Sequence, residues 1–443
     1  MKKRRTIGIA KNFLIIGLVV LCIFQVSSLW FGDDGISELF GGIFANRTDE
    51  ITVDDALNKL TTPFRIISST TDEQRYRVIY NGIPNSPEKL AGHNAITAAL
   101  TANSAPHSSA YNPNLAVTII YEYAVPIPAG VFDQRFGHTI SNRISAIDAI
   151  YFVTENAQVT VVFADRTAEI MLHYSINNYA AYSALIAVAN SPTGSFYHAR
   201  IDGAFVPQWL TAWHTFNTVL VTRNFTQNLP SVGTHVRPFF DRPNAMLMQM
   251  SIDVFLEPEN LITQYRFSAD QVVVRYYPTI HVLEYANHST TIPNEILNSF
   301  THSFALALNV VNRDPMLQNE VFFAGYTRSA TGFTFYFDAA VNNFPVTFHS
   351  DLVRATGMKH FIEVTISSNR VLYRRYAFTF QTQDNIASAT IDFNHLISIL
   401  LMYGQTITIE DKRSLRFGYM AILPQSDMIL HWHVGAVDVG AVE

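Results

Sequence analysis

The segment before residue 32 places the strongest constraint on how this chain can fold. Basic residues come first, at Lys2, Lys3, Arg4, Arg5 and Lys11, and the stretch 13–31 then carries no charge. A helix over 13–31 would be roughly 28 Å long at ~1.5 Å per residue, close to the ~30 Å hydrocarbon core of a bilayer. The first acidic residue is Asp33. Positive charge before the span and negative charge after it place the N-terminus in the cytoplasm. We therefore predict a basic cytoplasmic tail at 1–12, a single transmembrane anchor at 13–31 and an extracytoplasmic location for the rest of the chain.

A cleaved secretory signal is the alternative interpretation of the same segment. Its basic start and apolar core would look similar, and Val26-Ser27-Ser28 has the small residues of a cleavage site. Against cleavage, the apolar character resumes at Leu29, and Trp30 suits the membrane interface. We favour a retained anchor in the cell membrane, and the cleaved signal stays open as the alternative.

One face of the predicted anchor has the composition of a helix–helix contact. Small and amide side chains favour close approach of two helices in lipid, where apolar side chains alone give no preference for association. We call this face the anchor seam; its residues are Leu14, Gly17, Leu18, Leu21, Gln25 and Ser28. It is the candidate contact with another membrane helix. The alternative is that Gln25 and Ser28 only lie near the outer membrane interface.

Composition limits what the exterior can be. The full chain has a net charge of −6, and without the five basic residues at the N-terminus 25 basic residues remain against 36 acidic ones, about −11. Nucleic-acid binding needs clustered basic surface and is not predicted. The single cysteine, Cys22, lies in the predicted anchor, so the exterior contains no disulfide. At 48% hydrophobic and 13% aromatic residues, the chain has enough apolar material for a folded core.

Alternating apolar patterns interrupted by single helical patterns predict an α+β fold, with antiparallel sheets and packed helices in a multi-domain exterior. Ser86-Pro87-Glu88 has the residues of a helix start. A single helix is predicted over Pro293–Asn312, and the strand at Ala116–Tyr123 is expected to end at the prolines that follow it. Region 191–245 reads as loop-rich. The predicted divisions of the exterior are a juxtamembrane segment at 32–58, an N-terminal α+β domain at 59–200, a middle α+β domain at 201–290 and a C-terminal α+β domain at 291–443.

The sequence carries no recognisable catalytic motif. The sequence contains no glycine-rich phosphate loop, G-x-S-x-G elbow or H-E-x-x-H motif. Two carboxylate pairs could be imagined in sugar hydrolysis, Glu257 with Glu259 and Glu410 with Asp411. Turn and loop chemistry explains both pairs more simply. We therefore predict no catalytic residue and no enzymatic activity.

Two strand patterns carry side chains that are typical of binding sites. His431 and His433 would share one face of a strand, but two ligands do not make a metal site, so no metal or cofactor is predicted. Tyr373 and Tyr376 bracket Arg374 and Arg375, so each face would pair one tyrosine with one arginine. We interpret this strand as a solvated sheet edge guarded by arginines.

The order of features along the chain resembles the YycH family of extracytoplasmic regulators. The resemblance is carried by the span ending in Ser28-Leu29-Trp30, by Val117–Pro128 (VTIIYEYAVPIP), by Ile252–Tyr285 and by Leu430-His431-Trp432 near the end. That family regulates an essential Gram-positive two-component system. The C-terminal part, 291–443, is also similar to the companion protein YycI.

The resemblance implies a non-enzymatic role in cell-wall homeostasis. It implies contact with a sensor histidine kinase of the YycG/WalK type through membrane helices, assisted by a YycI-like membrane protein. The competing class is an anchored extracytoplasmic ligand-binding protein or a cell-wall-active enzyme. A deep apolar pocket would favour the first of these, and carboxylates meeting in a cleft would favour the second.

Overall fold

The computed structural model describes most of the exterior and none of the predicted anchor. The described residues are 51–69, 75–80, 87–102, 105–112, 115, 117–190, 197–201, 204–207, 215–223, 239, 249–256, 261–269, 271–288, 292–314, 317, 320–341, 344–389, 415–421, 427–428 and 430–434. The anchor at 13–31 and the anchor seam lie outside them. Among these described ranges, no helix is long and apolar enough to cross a membrane.

The helices are α1 (Val53–Leu60), α2 (Pro87–Thr101), α3 (Ala129–Phe136), α4 (Tyr179–Ala189), α5 (Asn294–Asn298), α6 (Phe300–Asn312) and α7 (Ser350–Thr356). The strands are β1 (Arg65–Ser69), β2 (Arg75–Tyr80), β3 (His107–Ala110), β4 (Ile119–Pro128), β5 (Ala146–Glu155), β6 (Gln158–Asp165), β7 (Ile170–Ile176), β8 (Tyr197–Ile201), β9 (Ala204–Pro207), β10 (Thr215–Arg223), β11 (Gln249–Leu256), β12 (Leu261–Ala269), β13 (Val272–Tyr277), β14 (Val282–Asn287), β15 (Glu320–Ser329), β16 (Gly332–Val341), β17 (Phe344–Phe348), β18 (Ile362–Ser367), β19 (Arg370–Tyr376), β20 (Phe378–Ala389), β21 (Leu415–Ala421), β22 (Asp427–Met428) and β23 (Leu430–Val434).

The N-terminal half forms a nine-stranded antiparallel sheet in the order β3-β7-β6-β5-β4-β1-β2-β8-β9. Helices α2 and α4 pack together on one face of this sheet. The central strands are apolar on both faces, and Ile150, Phe152, Val161 and Phe163 are fully buried. Strands that are covered on both sides have nearly continuous apolar sequences rather than strict alternation, which is the pattern of β5 and β6.

The C-terminal half forms an eleven-stranded sheet in the order β11-β12-β13-β14-β19-β18-β16-β17-β21-β23, with β15 paired to β16. Its pairings are antiparallel except for β17 with β21. Helix α6 covers one face, where Phe304 contacts the rings of Phe335 and Phe337 at centroid distances of 5.3 and 5.8 Å. A small sheet, β20-β10-β22, completes the strand pairing.

The predicted α+β class with antiparallel sheets and packed helices is confirmed. Strands on both sides of residue 290 share the large sheet, and the divisions of the exterior into domains stay predictions.

Three details of the sequence interpretation are corrected. The helix predicted over Pro293–Asn312 is two helices, because Ser299 takes an extended conformation and its side chain caps α6 by accepting from the His302 N–H. Strand β4 continues through Pro126 to Pro128. Its register with β5 is irregular between Glu122 and Ile127, so the strand tolerates prolines, which have no N–H group to donate. Region 191–245 contains β8, β9 and β10 as well as loops.

Candidate functional site: the helix junction

Helix α1 is the first described element of the chain and begins within the predicted juxtamembrane segment, and its start is well specified. The Thr52 hydroxyl accepts from the Asp55 N–H at 3.2 Å, and the Asp55 carboxylate accepts from the Thr52 N–H at 2.9 Å. Thr52 and the acidic residues after it indicate a helix start with a hydroxyl cap, and the structure adds the return bond from the Thr52 N–H to Asp55. The opposite face of α1 is apolar, with Ala56, Leu57 and Leu60 buried. It lies against both α3 and α6, so it contacts elements of both halves of the molecule.

The chain entering α1 is held by a side chain from the C-terminal half. The Ile51 N–H donates to Asn309 Oδ1 at 2.7 Å, and Asn309 Nδ2 donates to the Ile51 carbonyl at 3.2 Å. Asn309 lies on α6. An amide side chain that bonds both backbone groups of one residue acts like a short piece of neighbouring strand. The backbone that arrives from the N-terminal segment is therefore fixed directly to the C-terminal half.

Three further contacts join the halves near the same point. Thr301 on α6 donates through its hydroxyl to Gln134 Oε1 on α3 at 2.8 Å. The rings of Phe64 and Phe322 lie 4.6 Å apart between centroids. Strand β15 also contacts β4. The two sheets thus meet along α1, α3 and α6.

Two tyrosines of β4 fix the ends of the surrounding helices. The Tyr121 hydroxyl reaches the carbonyls of Glu88 and Lys89, in the first turn of α2, at 2.7 and 2.9 Å. Tyr123, on the same face of the strand, donates to the carbonyl of Thr61 at the end of α1 at 3.2 Å. Burial raises the pKa of both phenols, so both remain neutral donors at ordinary pH. We call the end of α1, the start of α2 and the end of α3 around these tyrosines the helix junction.

The helix junction gathers positive charge. Lys59 comes from α1, Lys89 and His93 from α2, and Arg135 from α3. Burial lowers the pKa of Lys89, and the charges of Lys59 and Arg135 lower it further. Burial, followed by the charges of Arg135 and Lys89, also lowers the pKa of His93. Each direction reports cations close enough to repel one another. No sequence signal pointed to these residues, which lie far apart in the chain and on three different helices.

A separate charge network lies on the other face of the N-terminal sheet. Glu122 accepts from Arg65, its cross-strand neighbour, and from Arg166 Nη2 at 2.7 Å. Burial raises the pKa of Glu122, but the two arginines outweigh it and lower the value to about 2. Asp148 accepts from the Arg166 N–H at 2.7 Å. Burial raises the pKa of Asp148 to about 6. The charges of Asp165 and Glu122 add to this rise, and Arg166 opposes it. Glu122 is the member of this network that both arginines stabilise in its ionised form.

The raised pKa of Asp148 gives a prediction for stability against pH. A carboxyl group whose pKa is higher in the folded state stabilises the fold below its unfolded pKa of 3.8, and that contribution is lost as the pH rises through about 6. Asp148→Asn keeps an oxygen acceptor for the Arg166 N–H without the charge. We expect the variant to gain stability relative to wild type by about 2–3 kcal/mol between pH 4 and pH 7. Glu122 has the opposite sign and loses its contribution only below pH 4.5. Urea unfolding at a series of pH values measures the difference.

Asp351→Asn is the control for this prediction, because the side chain of Asp351 is 69% exposed. An equal pH trend in both variants would contradict the assignment.

The strand with two tyrosines and two arginines has a different environment from the one predicted. Each face does pair one tyrosine with one arginine, but β19 lies between β14 and β18 inside the large sheet. The prediction of a solvated edge is therefore wrong. Arg375 is fully buried and pairs with Asp314, which also accepts from the Tyr373 hydroxyl at 2.7 Å. On the other face, Arg374 lies between Glu284 and Glu363.

The residues singled out from the sequence do not converge on a catalytic or metal site in the described ranges. Glu257, Glu259, Glu410 and Asp411 lie outside the described residues, as does the whole anchor seam. His431 and His433 are two positions apart in β23, which confirms the predicted strand. In the part of the chain that the structure describes, no three His, Cys, Asp or Glu residues are grouped as metal ligands would be. The helix junction combines hydrogen-bonded helix ends with several basic side chains, and two of its helices, α1 and α3, also contact the C-terminal half.

Comparison with known proteins gives similarity at the level of the fold. No protein-family model matches the sequence, and no curated protein matches it. The crystal structure of YycH from Bacillus subtilis is similar, with a TM-score of 0.51 and 10% sequence identity over 85% of this chain and 95% of that chain. An uncharacterized protein from Eubacterium rectale aligns with a TM-score of 0.29 and 9% identity over 50% of this chain and 76% of that one. The second value is too low to support an argument, and the first shows a YycH-like fold and nothing finer.

Proposed function

We propose that this chain is a membrane-anchored extracytoplasmic regulator of a sensor histidine kinase of the YycG/WalK type. The observation that supports the proposal is the YycH-like fold over 85% of the chain, in a sequence that begins with a basic tail and an apolar span. The proposed partners are the kinase and a YycI-like membrane protein, both contacted through membrane helices. The proposed role is non-enzymatic and serves cell-wall homeostasis.

Helix α1 and the residue before its cap give this proposal a physical route. The backbone at Ile51 is bonded to Asn309, and α1 lies against both halves of the exterior. In the proposal, a change in the tilt or depth of the anchor acts first on α1, because α1 is the first described element after the predicted span. Rigid contacts can carry such a displacement only when they offer two discrete arrangements. In the proposal, α1 shifts against α6 and α3 when the anchor changes its packing with the kinase helices.

Capture of the partner in intact cells tests the proposed function. A photoreactive amino acid placed at Leu14 or Leu21 on the anchor seam should crosslink to a membrane protein, which mass spectrometry then identifies. A sensor histidine kinase or a YycI-like protein is the expected product. Val19 serves as a control position away from the seam. Capture of neither protein from the seam, at normal expression of this chain, would overturn the proposal.

Substitutions in the anchor seam should change signalling without releasing the protein from the membrane. A phenylalanine at Gly17 would separate two closely packed backbones, and Gln25→Leu would remove an interhelical hydrogen bond of roughly 0.5–2 kcal/mol. We expect each change to reduce association several-fold and to shift the output of a kinase-dependent reporter at matched protein levels. Val19→Leu is the control and should have no effect. Normal output from both seam variants and from an unrelated anchor sequence would show that the span is only a tether.

A further inference from the structure

The short connection between α7 and β18, residues 357–361, is held on one side by side chains of β19. Arg374 Nη2 donates to the carbonyl of Thr356, the last residue of α7, at 2.9 Å. The Tyr376 hydroxyl donates to the carbonyl of Met358 at 2.8 Å. Neither contact involves a group that changes its charge near neutral pH, so this side of the connection is fixed.

On its other side the connection is held by one carboxylate of β16. The ladder between β16 and β18 ends with the pair of Phe337 and Ile362, and the side chain of Asp338 continues the attachment beyond it. Asp338 Oδ1 accepts from the Phe361 N–H at 3.0 Å, and Oδ2 lies 3.1 Å from His360 Nδ1. One carboxylate therefore holds two consecutive residues of the connection, one through its backbone and one through its ring.

The imidazole of His360 lies among ionisable groups from both neighbouring strands. The ring of Tyr336 on β16 stacks on it at 4.6 Å between centroids. Burial lowers the pKa of His360, but its bond to Asp338 and the charges of Asp338 and Glu363 outweigh burial and the charge of Lys359, so the pKa is raised. The surroundings therefore favour the protonated ring.

Glu363 on β18 is the second carboxylate that acts on this ring. It pairs with Arg374 at 3.5 Å, and Arg374 also lies 3.9 Å from Glu284 on β14. Burial raises the pKa of Glu363 against the effect of Arg374 and, after it, of Lys359 and His360. Arg374 is divided between two carboxylates, so a protonated His360 adds a favourable positive charge to this group.

We propose that His360 and Asp338 form a pH-dependent latch on the connection between α7 and β18. The latch is closed in acid, where the protonated ring and the carboxylate form an ion pair, and it loosens when the ring becomes neutral and only an uncharged hydrogen bond remains. Because the folded state raises the pKa of His360, the stabilisation is complete below the ordinary histidine value of 6.5 and is lost as the pH rises through the folded value.

The expected change is local. The contacts of Arg374 and Tyr376 with the connection remain at both extremes of pH, so α7 stays attached to β19. What opens is the side of residues 357–361 that faces β16, where the Phe361 N–H loses its fixed acceptor. The latch does not depend on the proposed role in signalling.

Hydrogen exchange of the full chain in a non-ionic detergent, followed by mass spectrometry, tests the latch. Protection is corrected for the intrinsic pH dependence of amide exchange, and the reporter is the peptide that contains the Phe361 N–H. We expect its protection to fall at least about three-fold between about pH 5.5 and about pH 8.5, across the titration of a histidine. A peptide from β6, in the other sheet, should show no such fall.

Three variants assign the effect. His360→Asn removes the titrating ring, and Asp338→Asn keeps an oxygen acceptor for the Phe361 N–H without the charge; each should make the protection independent of pH in this range. His349→Asn is the matched control, because His349 lies 3.5 Å from an Asp351 side chain that is 69% exposed, and asparagine can still cap α7. This control should keep the wild-type pH dependence.

Constant protection of the wild-type peptide across this pH range would overturn the proposal. An undiminished fall in His360→Asn would also overturn it, since Glu363, which that variant retains, would then carry the effect. Loss of the pH dependence in His349→Asn would contradict the assignment to His360. If His360→Asn does not fold, the decision rests on Asp338→Asn compared with the wild type.

Discussion

Replacing Asp314 by alanine is expected to lower the free energy of unfolding by about 3–5 kcal/mol, because it leaves a buried arginine without its counter-charge. Arg375 and Asp314 have no exposed side-chain surface. Arg375 Nη2 donates to Asp314 Oδ1 at 3.3 Å, and the Tyr373 hydroxyl donates to Oδ2 at 2.7 Å. The alanine variant would strand both donors between α6 and the large sheet. Urea unfolding followed by circular dichroism measures the loss.

Two comparisons make the Asp314 prediction specific. Asp351→Ala removes a carboxylate from a surface pair with Arg354 at 3.4 Å and should cost no more than about 1 kcal/mol. The double variant Asp314→Leu with Arg375→Met should recover at least about 2 kcal/mol of the loss, since apolar side chains need no partner. A loss in Asp314→Ala as small as that in Asp351→Ala would show that the buried pair is not needed for stability.

Replacing Gly92 by alanine is expected to destabilise the protein by about 2–3 kcal/mol through overpacking. A Cβ at this position would lie 2.0 Å from the Tyr121 hydroxyl oxygen and 2.3 Å from the ring carbon that carries it. Tyr121 cannot move without losing its bonds to the carbonyls of Glu88 and Lys89. The substitution should therefore loosen the start of α2 and with it the helix junction. Thermal and urea unfolding of the full chain measure the effect.

Gly130 is the matched control for Gly92, because it is also a helical glycine but has no atom within 4 Å of a built Cβ. Gly130→Ala should be neutral or should raise stability by up to about 1 kcal/mol, since alanine restricts the unfolded chain and favours the helix. Equal and harmless effects at both positions would show that Tyr121 does not hold α2 in place.

The local elements near the helix junction could be predicted from the sequence, but the junction itself could not. Thr52 with Asp55, and Ser86-Pro87 before α2, indicate helix starts through residues that are adjacent in the chain. Lys59, Lys89 and Arg135 meet only because β4 places Tyr121 and Tyr123 under two helix ends. That arrangement depends on strand order in the nine-stranded sheet, which periodicity does not encode.

The strand β19 shows the same division between local and non-local information. Its alternation correctly separates Tyr373 with Arg375 from Arg374 with Tyr376, because side-chain direction follows from the period of a strand. Its charges suggested an edge, yet the charge on one face is buried against Asp314, 61 residues earlier. A charged residue in a strand pattern therefore says little about exposure until its partner is known. The interruption of the predicted helix at Ser299 was also hidden from local sequence, since a serine within an apolar pattern can cap a helix as well as continue one.

The bonds between Ile51 and Asn309 also set an order of events during synthesis. The two residues are 258 positions apart, and chains fold from the N-terminus as they emerge from the ribosome. The strands β1 to β9 are all made before α6 exists, so the nine-stranded sheet can assemble while α1 still lacks its second neighbour. Contacts of such long range also close slowly. The stretch nearest the N-terminal segment is thus among the last to acquire its native surroundings, and any chain that stops before Asn309 leaves α1 exposed on its α6 side.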